Sequence, residues 1–359
     1  MFIVPKIADT GSTIVEIVDS IDEDLVIDFD KLFVDTSIAS ADIHEIFANE
    51  SINTWQIEDA SERVKSIEFV DQVISKLPVK ENYRLAVMGA GALINVVSFI
   101  ASTLKENGAR VQLFIFPSNS MSICDVAFGS LGLINSGKKK NAIRRMIDPE
   151  QIIISKEIFF SSPVEVRTDG LIEVAKHALF QNCPLFMPSF RGFLELDNDI
   201  SCQFSLALEG LKMKSEVIEL KNKKDLQIRA VFNYGHAFAH FLEEHSDYQY
   251  SHTNAVFMGI LLDLELAGFS NLVDRIVELA VQSPKYSALV NLASFMKVNS
   301  VNAFESFAAK YREEECYISI TPLDYRKDYI FDKSHVPFEG MKKNKLEVNE
   351  SLKKIQVRF

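Results

Sequence analysis

Residues 85 to 104 run for twenty positions without a charge. That is close to the length a bilayer span needs, but the run is not uniform. Leu85-Ala86-Val87-Met88 is a short apolar segment, Gly89-Ala90-Gly91 interrupts it, and the remainder has helical spacing and carries Asn95 and Ser98. A buried strand, a glycine turn and a helix account for this pattern better than a membrane span. Further strand candidates at 14–18, 32–34, 111–116 and 151–154 alternate with helical stretches up to about residue 165, which predicts a mostly parallel sheet covered on both faces. From about Gly170 the pattern changes. Helical periodicities dominate, as at 254–269 and 272–281, and strand signals nearly vanish. The expected fold is therefore an α/β N-terminal domain over 1–168 with a Rossmann-like sheet, followed by an all-helical C-terminal domain over 169–359. The active site is expected in the cleft between them.

Composition bounds the function. The 359 residues are 47% hydrophobic and 25% charged, as in an ordinary soluble globular chain. A net charge of -12 with no offsetting basic stripe argues against nucleic acid or an anionic membrane as partner. The run Lys138-Lys139-Lys140 is local. Cys124, Cys183, Cys202 and Cys316 are scattered without C-x-x-C spacing, which fits reduced thiols in a cytosolic protein. The start, Met1-Phe2-Ile3-Val4-Pro5-Lys6, lacks the basic and apolar regions of a signal peptide, so a cytoplasmic location is expected.

Two stretches carry candidate chemistry. The strand-turn-helix around Gly89-Ala90-Gly91 is a natural seat for a dinucleotide, because small residues let the backbone approach a pyrophosphate at a helix N-terminus. Glycine also serves tight turns for steric reasons alone, so the turn is a weak signal unaided. The second stretch is Arg229-Ala230-Val231-Phe232-Asn233-Tyr234-Gly235-His236-Ala237-Phe238-Ala239-His240, with His252 beyond it. His236 and His240 are spaced i and i+4, so a helix puts both imidazoles on one face. Four of the seven histidines fall within this window. A lone histidine on an apolar helix is usually a hydrogen-bonded core residue, but such a cluster fits a metal or acid-base site equally well.

These residues resemble the signature of the 3-dehydroquinate synthase family, R-x-L-L-N-x-G-H-T-x-G-H-A followed by H-G-E-A-V. The family's earlier G-x-x-E-V-x-K is present as Gly170-Leu171-Ile172-Glu173-Val174-Ala175-Lys176. The resemblance implies a catalytic zinc, or cobalt, on Glu173, His236 and His252. It implies NAD bound by Gly89, Ala90, Gly91 and Asn95, where the family reads G-G-G-V-x-x-D, and by Asp35, by Glu62 and Lys65 of an E-x-x-K contact, by Ser118 and Asn119 beside the nicotinamide, and by Asp125. Lys140 and Asn141 match the Lys-Asn pair that closes the loop opened by Asp125. Lys214 and Arg229 stand where the family holds a substrate carboxylate, and Lys176, Asn233 and His240 line the phosphate and hydroxyl side. A homodimer is also implied.

The expected activity is that of a phosphate-eliminating carbon-oxygen lyase, a cyclase that turns a sugar phosphate into a carbocycle while NAD is reduced and reoxidised. Departures concern the substrate. Leu131 replaces a phosphate-side lysine, His252-Thr253-Asn254 replaces H-G-E, Pro117-Ser118-Asn119 replaces P-T-T, Asp225 replaces a glutamate, and of two C-terminal lysines only Lys345 remains. These point to a paralogue among the sugar phosphate cyclases. Two alternatives stay open: a metal- and NAD-dependent polyol or glycerol phosphate dehydrogenase, and a degenerate non-catalytic paralogue.

Overall fold

The computed structural model describes residues 1–6, 11–21, 28–38, 49, 51–137, 139–180, 183–223, 234–246, 249–295, 317–322, 338–343 and 345–359. Contacts divide the chain into two compact units, Met1–Gly170 with Asp199–Glu219, and Leu171–Asn198 with Leu220–Phe359.

The first unit is built on a seven-stranded sheet. Its strands are β1 (Phe2–Pro5), β2 (Ser12–Val18), β3 (Lys31–Asp35), β4 (Thr54–Ile57), β5 (Asn82–Gly89), β6 (Arg110–Pro117) and β9 (Gln151–Ser155), in the order β1-β2-β9-β6-β5-β3-β4. Only β1 runs antiparallel to its neighbour. Residues Leu85 to Met88 of β5 are wholly buried, as are Leu113 to Phe116 of β6. A strand covered on both faces reads as a continuous apolar run, and each Val, Leu or Ile buried this way contributes about 1.5–3 kcal/mol. The helix after β5, α2 (Gly91–Glu106), is buried along most of its length and supplies one covering layer; α1 (Ile67–Lys76) precedes β5.

Four strands of the first unit lie outside the sequence expectation. β1 and β4 have four residues each and sit at the two edges of the sheet, where no sustained apolar pattern is needed. The other two, β7 (Leu131–Ser136) and β8 (Lys139–Met146), form an antiparallel hairpin where the sequence reads as a loop carrying Lys140 and Asn141. Its β8 strand is rich in charge, so no alternation marks it. The hairpin presses on α2 at Gly132, where a Cβ would lie 2.3 Å from the Phe99 nitrogen.

The short helices α3 (Lys156–Ser161) and α4 (Val164–Asp169) end the sheet region. Phe159 and Phe160 of α3 pack edge-on against Phe204 of α7 (Ile200–Lys223).

The second unit is helical: α5 (Leu171–Phe180), α6 (Phe186–Phe193), α8 (His236–His245), α9 (His252–Leu266), α10 (Ser270–Val281) and α11 (Lys345–Arg358). It also holds an antiparallel pair, β10 (Tyr317–Pro322) with β11 (Phe338–Lys343), in a region where strand signals are weak. Helix α9 is buried from Ala255 to Leu266, all the way round, the pattern of a core helix. Phe190 and Phe193 of α6 pack on its Phe257. Its buried Glu265 pairs with Arg358 of α11 at 2.9 Å, so the C-terminal helix is tied to the helix that begins with His252. Among the described residues no helix is long and apolar enough to cross a membrane.

Candidate functional site

The geometry of the second unit starts from glycines. Gly235 adopts φ +72 and donates its N–H to Asp263 Oδ2 at 2.8 Å. A Cβ on Gly259 would lie 1.9 Å from the Gly235 carbonyl oxygen, so the backbone entering α8 rests directly on α9. This close approach brings the first residues of the two helices together, with the His236 and His252 rings 5.3 Å apart. Ser251 caps α9 by accepting from the Asn254 N–H. On α5, Glu173 and Lys176 stand one turn apart, 1% and 2% exposed, with Lys176 Nζ donating to Glu173 Oε2.

The protonation of the two imidazoles follows from their partners. His236 Nδ1 lies 3.0 Å from the Tyr234 carbonyl, which can only accept, so Nδ1 carries the proton. Burial, then the charge of Lys176 and the neighbouring His252, holds the His236 pKa well below its ordinary 6.5. The ring is neutral, and its Nε2 presents a bare lone pair to Glu173 Oε1 at 3.4 Å. That oxygen is buried and accepts no hydrogen bond from the described residues. A buried carboxylate oxygen facing an imidazole lone pair is unfavourable by itself and is complementary to a cation between the two. His252 has the same polarity: its Nδ1 lies 3.2 Å from Glu243 Oε2, which leaves Nε2 to coordinate. Glu173, His236 and His252 offer ligand atoms all within 4.8 Å of one another. Two imidazoles and one carboxylate are a donor set for a catalytic divalent ion such as zinc, with a position left open. His240 stands beside them, its ring 5.8 Å from His236 and 6.3 Å from His252.

In the first unit, β3 and β5 are neighbours. The strand following β3 lies on one side of this pair and the strand following β5 on the other, so the chain diverges from their C-terminal ends. Such a switch point is where open α/β sheets bind nucleotides. Asp35 ends β3, Gly89 ends β5, and a Cβ on Gly89 would lie 3.3 Å from Asp35 Cβ. Ser118, just after β6, donates its N–H to the Gly89 carbonyl at 3.1 Å. Ala90 precedes α2 and makes no side-chain cap.

Models of the 3-dehydroquinate synthase N-terminal and C-terminal regions match residues 55–167 and 170–301, together well over half of the chain. The chain belongs to the 3-dehydroquinate synthase family. A 3-dehydroquinate synthase of Prochlorococcus marinus (strain MIT 9515) is 26% identical over 266 residues, 68% of this chain and 68% of its own. The chain spans about two thirds of the length of the curated relatives it matches. In fold it is similar to a 2-epi-5-epi-valiolone synthase of Streptomyces hygroscopicus subsp. jinggangensis 5008, solved with NAD+ and Zn2+ bound. That match has TM-score 0.73 and 16% identity, over 98% of this chain and 99% of the other. An iron-containing alcohol dehydrogenase of Thermotoga maritima shares the fold at TM-score 0.58 and 11% identity, over 96% of this chain and 98% of the other.

Several positions that match the 3-dehydroquinate synthase pattern are tied into polar networks of their own. Lys65, 3% exposed, pairs with Glu62 at 3.0 Å and donates to Asn141 Oδ1. Asn135 joins them: its Nδ2 donates to Glu62 Oε1 at 3.1 Å and its Oδ1 accepts from the Asn141 N–H at 2.8 Å. Asn141 is held at φ +52, a left-handed conformation that asparagine tolerates better than most residues. Lys140 precedes it, half-buried on β8. Lys214, buried, donates to Asp125 Oδ1 at 2.6 Å. Asn119 accepts from the Ser122 N–H at 2.8 Å and so shapes the turn after β6, while Asn95 is buried on α2. Gly170, which opens the G-x-x-E segment, donates to Ser120 Oγ at 2.8 Å, and a Cβ there would lie 2.0 Å from the Met121 nitrogen. Arg229, Asn233 and Asp225 lie outside the described residues, as does the Lys345 side chain. Sequence reading passed over Asn135, Glu243, Gly259 and Asp263. Of these only Glu243 carried a signal, seven residues after His236 and so on the same helical face.

Proposed function

We propose that this chain is a sugar phosphate cyclase that converts a phosphorylated sugar or sugar acid into a carbocycle with loss of phosphate, using NAD without net consumption. The observation that carries this reading is the pair of facing acceptors, His236 Nε2 and Glu173 Oε1, with His252 completing the set within 4.8 Å. A bound zinc or cobalt ion supplies Lewis acidity towards a substrate hydroxyl, and bound NAD supplies a reversible hydride acceptor.

The protein's own residues have distinct tasks in this scheme. Glu173, His236 and His252 hold the cation, and Lys176 balances the Glu173 charge while offering its ammonium to a phosphate. His240, beside the imidazole pair, is the candidate for proton transfer to the leaving phosphate or the hydroxyl. Asp35 and the Gly89-Ala90-Gly91 turn hold the dinucleotide, and the hairpin bearing Lys140 and Asn141 orients substrate.

The dehydrogenase reading uses the same acceptors and differs in its products, so one assay separates the two. The purified protein is given NAD, zinc or cobalt, and in turn 3-deoxy-arabino-heptulosonate 7-phosphate, sedoheptulose 7-phosphate and glucose 6-phosphate. Inorganic phosphate and NADH absorbance are followed together. Phosphate release without NADH accumulation is the expected result and names the substrate; NADH accumulation without phosphate release means a dehydrogenase.

A further inference from the structure

Glu243 is 4% exposed on α8 and faces the N-terminus of α9. His236, His240 and Glu243 are spaced i, i+4 and i+7, so a single stripe of α8 carries a candidate ligand, its neighbouring imidazole and a carboxylate. That carboxylate lies 3.2 Å from His252 Nδ1. A carboxylate oxygen accepts only, so the contact places the His252 proton on Nδ1 and leaves Nε2 as the donor atom. His236 reaches the same state by a different route, through the Tyr234 carbonyl. The two imidazoles of the trio are thus fixed by unlike partners, a neutral backbone oxygen for one and a buried anion for the other.

We infer that Glu243 is a positioning residue for the metal centre, setting the tautomer and orientation of His252 and raising the basicity of its coordinating nitrogen. The inference rests on the metal-binding reading of Glu173, His236 and His252. Partners of this kind govern affinity strongly: their loss weakens metal binding by about 10- to 100-fold. Glu243→Ala removes the acceptor altogether. Glu243→Gln keeps the volume but loses the charge, and an amide can also present its NH2 group, so it selects the tautomer poorly; its affinity falls between wild type and Glu243→Ala.

The test is zinc affinity by competition with a chromophoric chelator, measured on the full chain for wild type and both variants. Long-range proton-nitrogen correlation spectra of the zinc-free proteins give the tautomer of each histidine. Expected are zinc binding weakened by about 10- to 100-fold in Glu243→Ala, a His252 proton that leaves Nδ1 for Nε2, and an unchanged His236. Should the alanine variant not fold, the glutamine variant decides alone. Wild-type affinity and an Nδ1-protonated His252 in the folded variants would overturn the role of Glu243. Failure of the wild-type protein itself to bind zinc would instead overturn the metal-centre reading, and this inference with it.

Discussion

The two polar clusters differ in what their groups face. Around Lys65 donors meet acceptors: the ammonium sits on Glu62 and Asn141, and Asn135 closes the set. Around His236 acceptors meet acceptors, because a lone pair at Nε2 looks at a buried carboxylate oxygen across 3.4 Å. A buried polar group is costly unless it is paired. The first cluster is complete as it stands and serves to hold a hairpin and a helical turn in place. The second is complementary to a cation. Both contain charged residues matching family positions, yet only the second carries a mark of its ligand in its own geometry.

The largest effect that would break this contrast is expected at His236. His236→Ala removes one ligand of three, and zinc content and turnover should both be lost; a variant that retains full metal and turnover contradicts the assignment. Next comes the glycine contact that creates the cluster. Gly259→Ala places a methyl against the Gly235 carbonyl and should destabilise the fold by about 1–3 kcal/mol. The readout is the urea midpoint, with zinc affinity falling in parallel. An unchanged midpoint would mean that α8 and α9 need no close approach.

Asn135→Ala sharpens the contrast from the other side. It deletes three side-chain hydrogen bonds, to the Glu62 carboxylate, the Glu62 carbonyl and the Asn141 N–H, of about 1 kcal/mol each. It should lower the urea midpoint while leaving zinc affinity untouched. Loss of zinc in that variant would mean that the two clusters are not independent.

The smallest effect expected is on pH dependence. Burial lowers the His236 pKa below 6.5, so as pH falls through 6.5 the unfolded chain takes up the proton before the folded one. Zinc-free protein should lose stability over the window from 6.5 down to that lowered folded value. It should be at full strength, as far as this group is concerned, above 6.5. Denaturant midpoints across the window should fall with pH in wild type and flatten in His236→Gln.

How much of this was legible in the sequence depended on whether a residue acts locally or through an approach of distant segments. The central strands β5 and β6 were legible because burial on both faces demands unbroken apolar runs. The edge strands and the β7–β8 hairpin were not, since a short or solvent-facing strand tolerates Pro5, Lys139 or Arg144. The spacing of His236 and His240 announced a shared helical face, and the family resemblance singled out Glu173 and Lys176. Gly259 did not stand out, because in an apolar helix a glycine pressed against another backbone looks like any small residue. Asn135 and Asp263 matter only through partners that sequence distance conceals, Asp263 holding Gly235 from 28 residues away.

The most direct test of the account is anomalous diffraction at the zinc edge from crystals of the zinc-loaded protein. It should show one peak in the second unit about 2.0–2.2 Å from a Glu173 oxygen, His236 Nε2 and His252 Nε2. A peak elsewhere, or one reached through Nδ1 of either histidine, would contradict the claim that these facing acceptors are a metal centre.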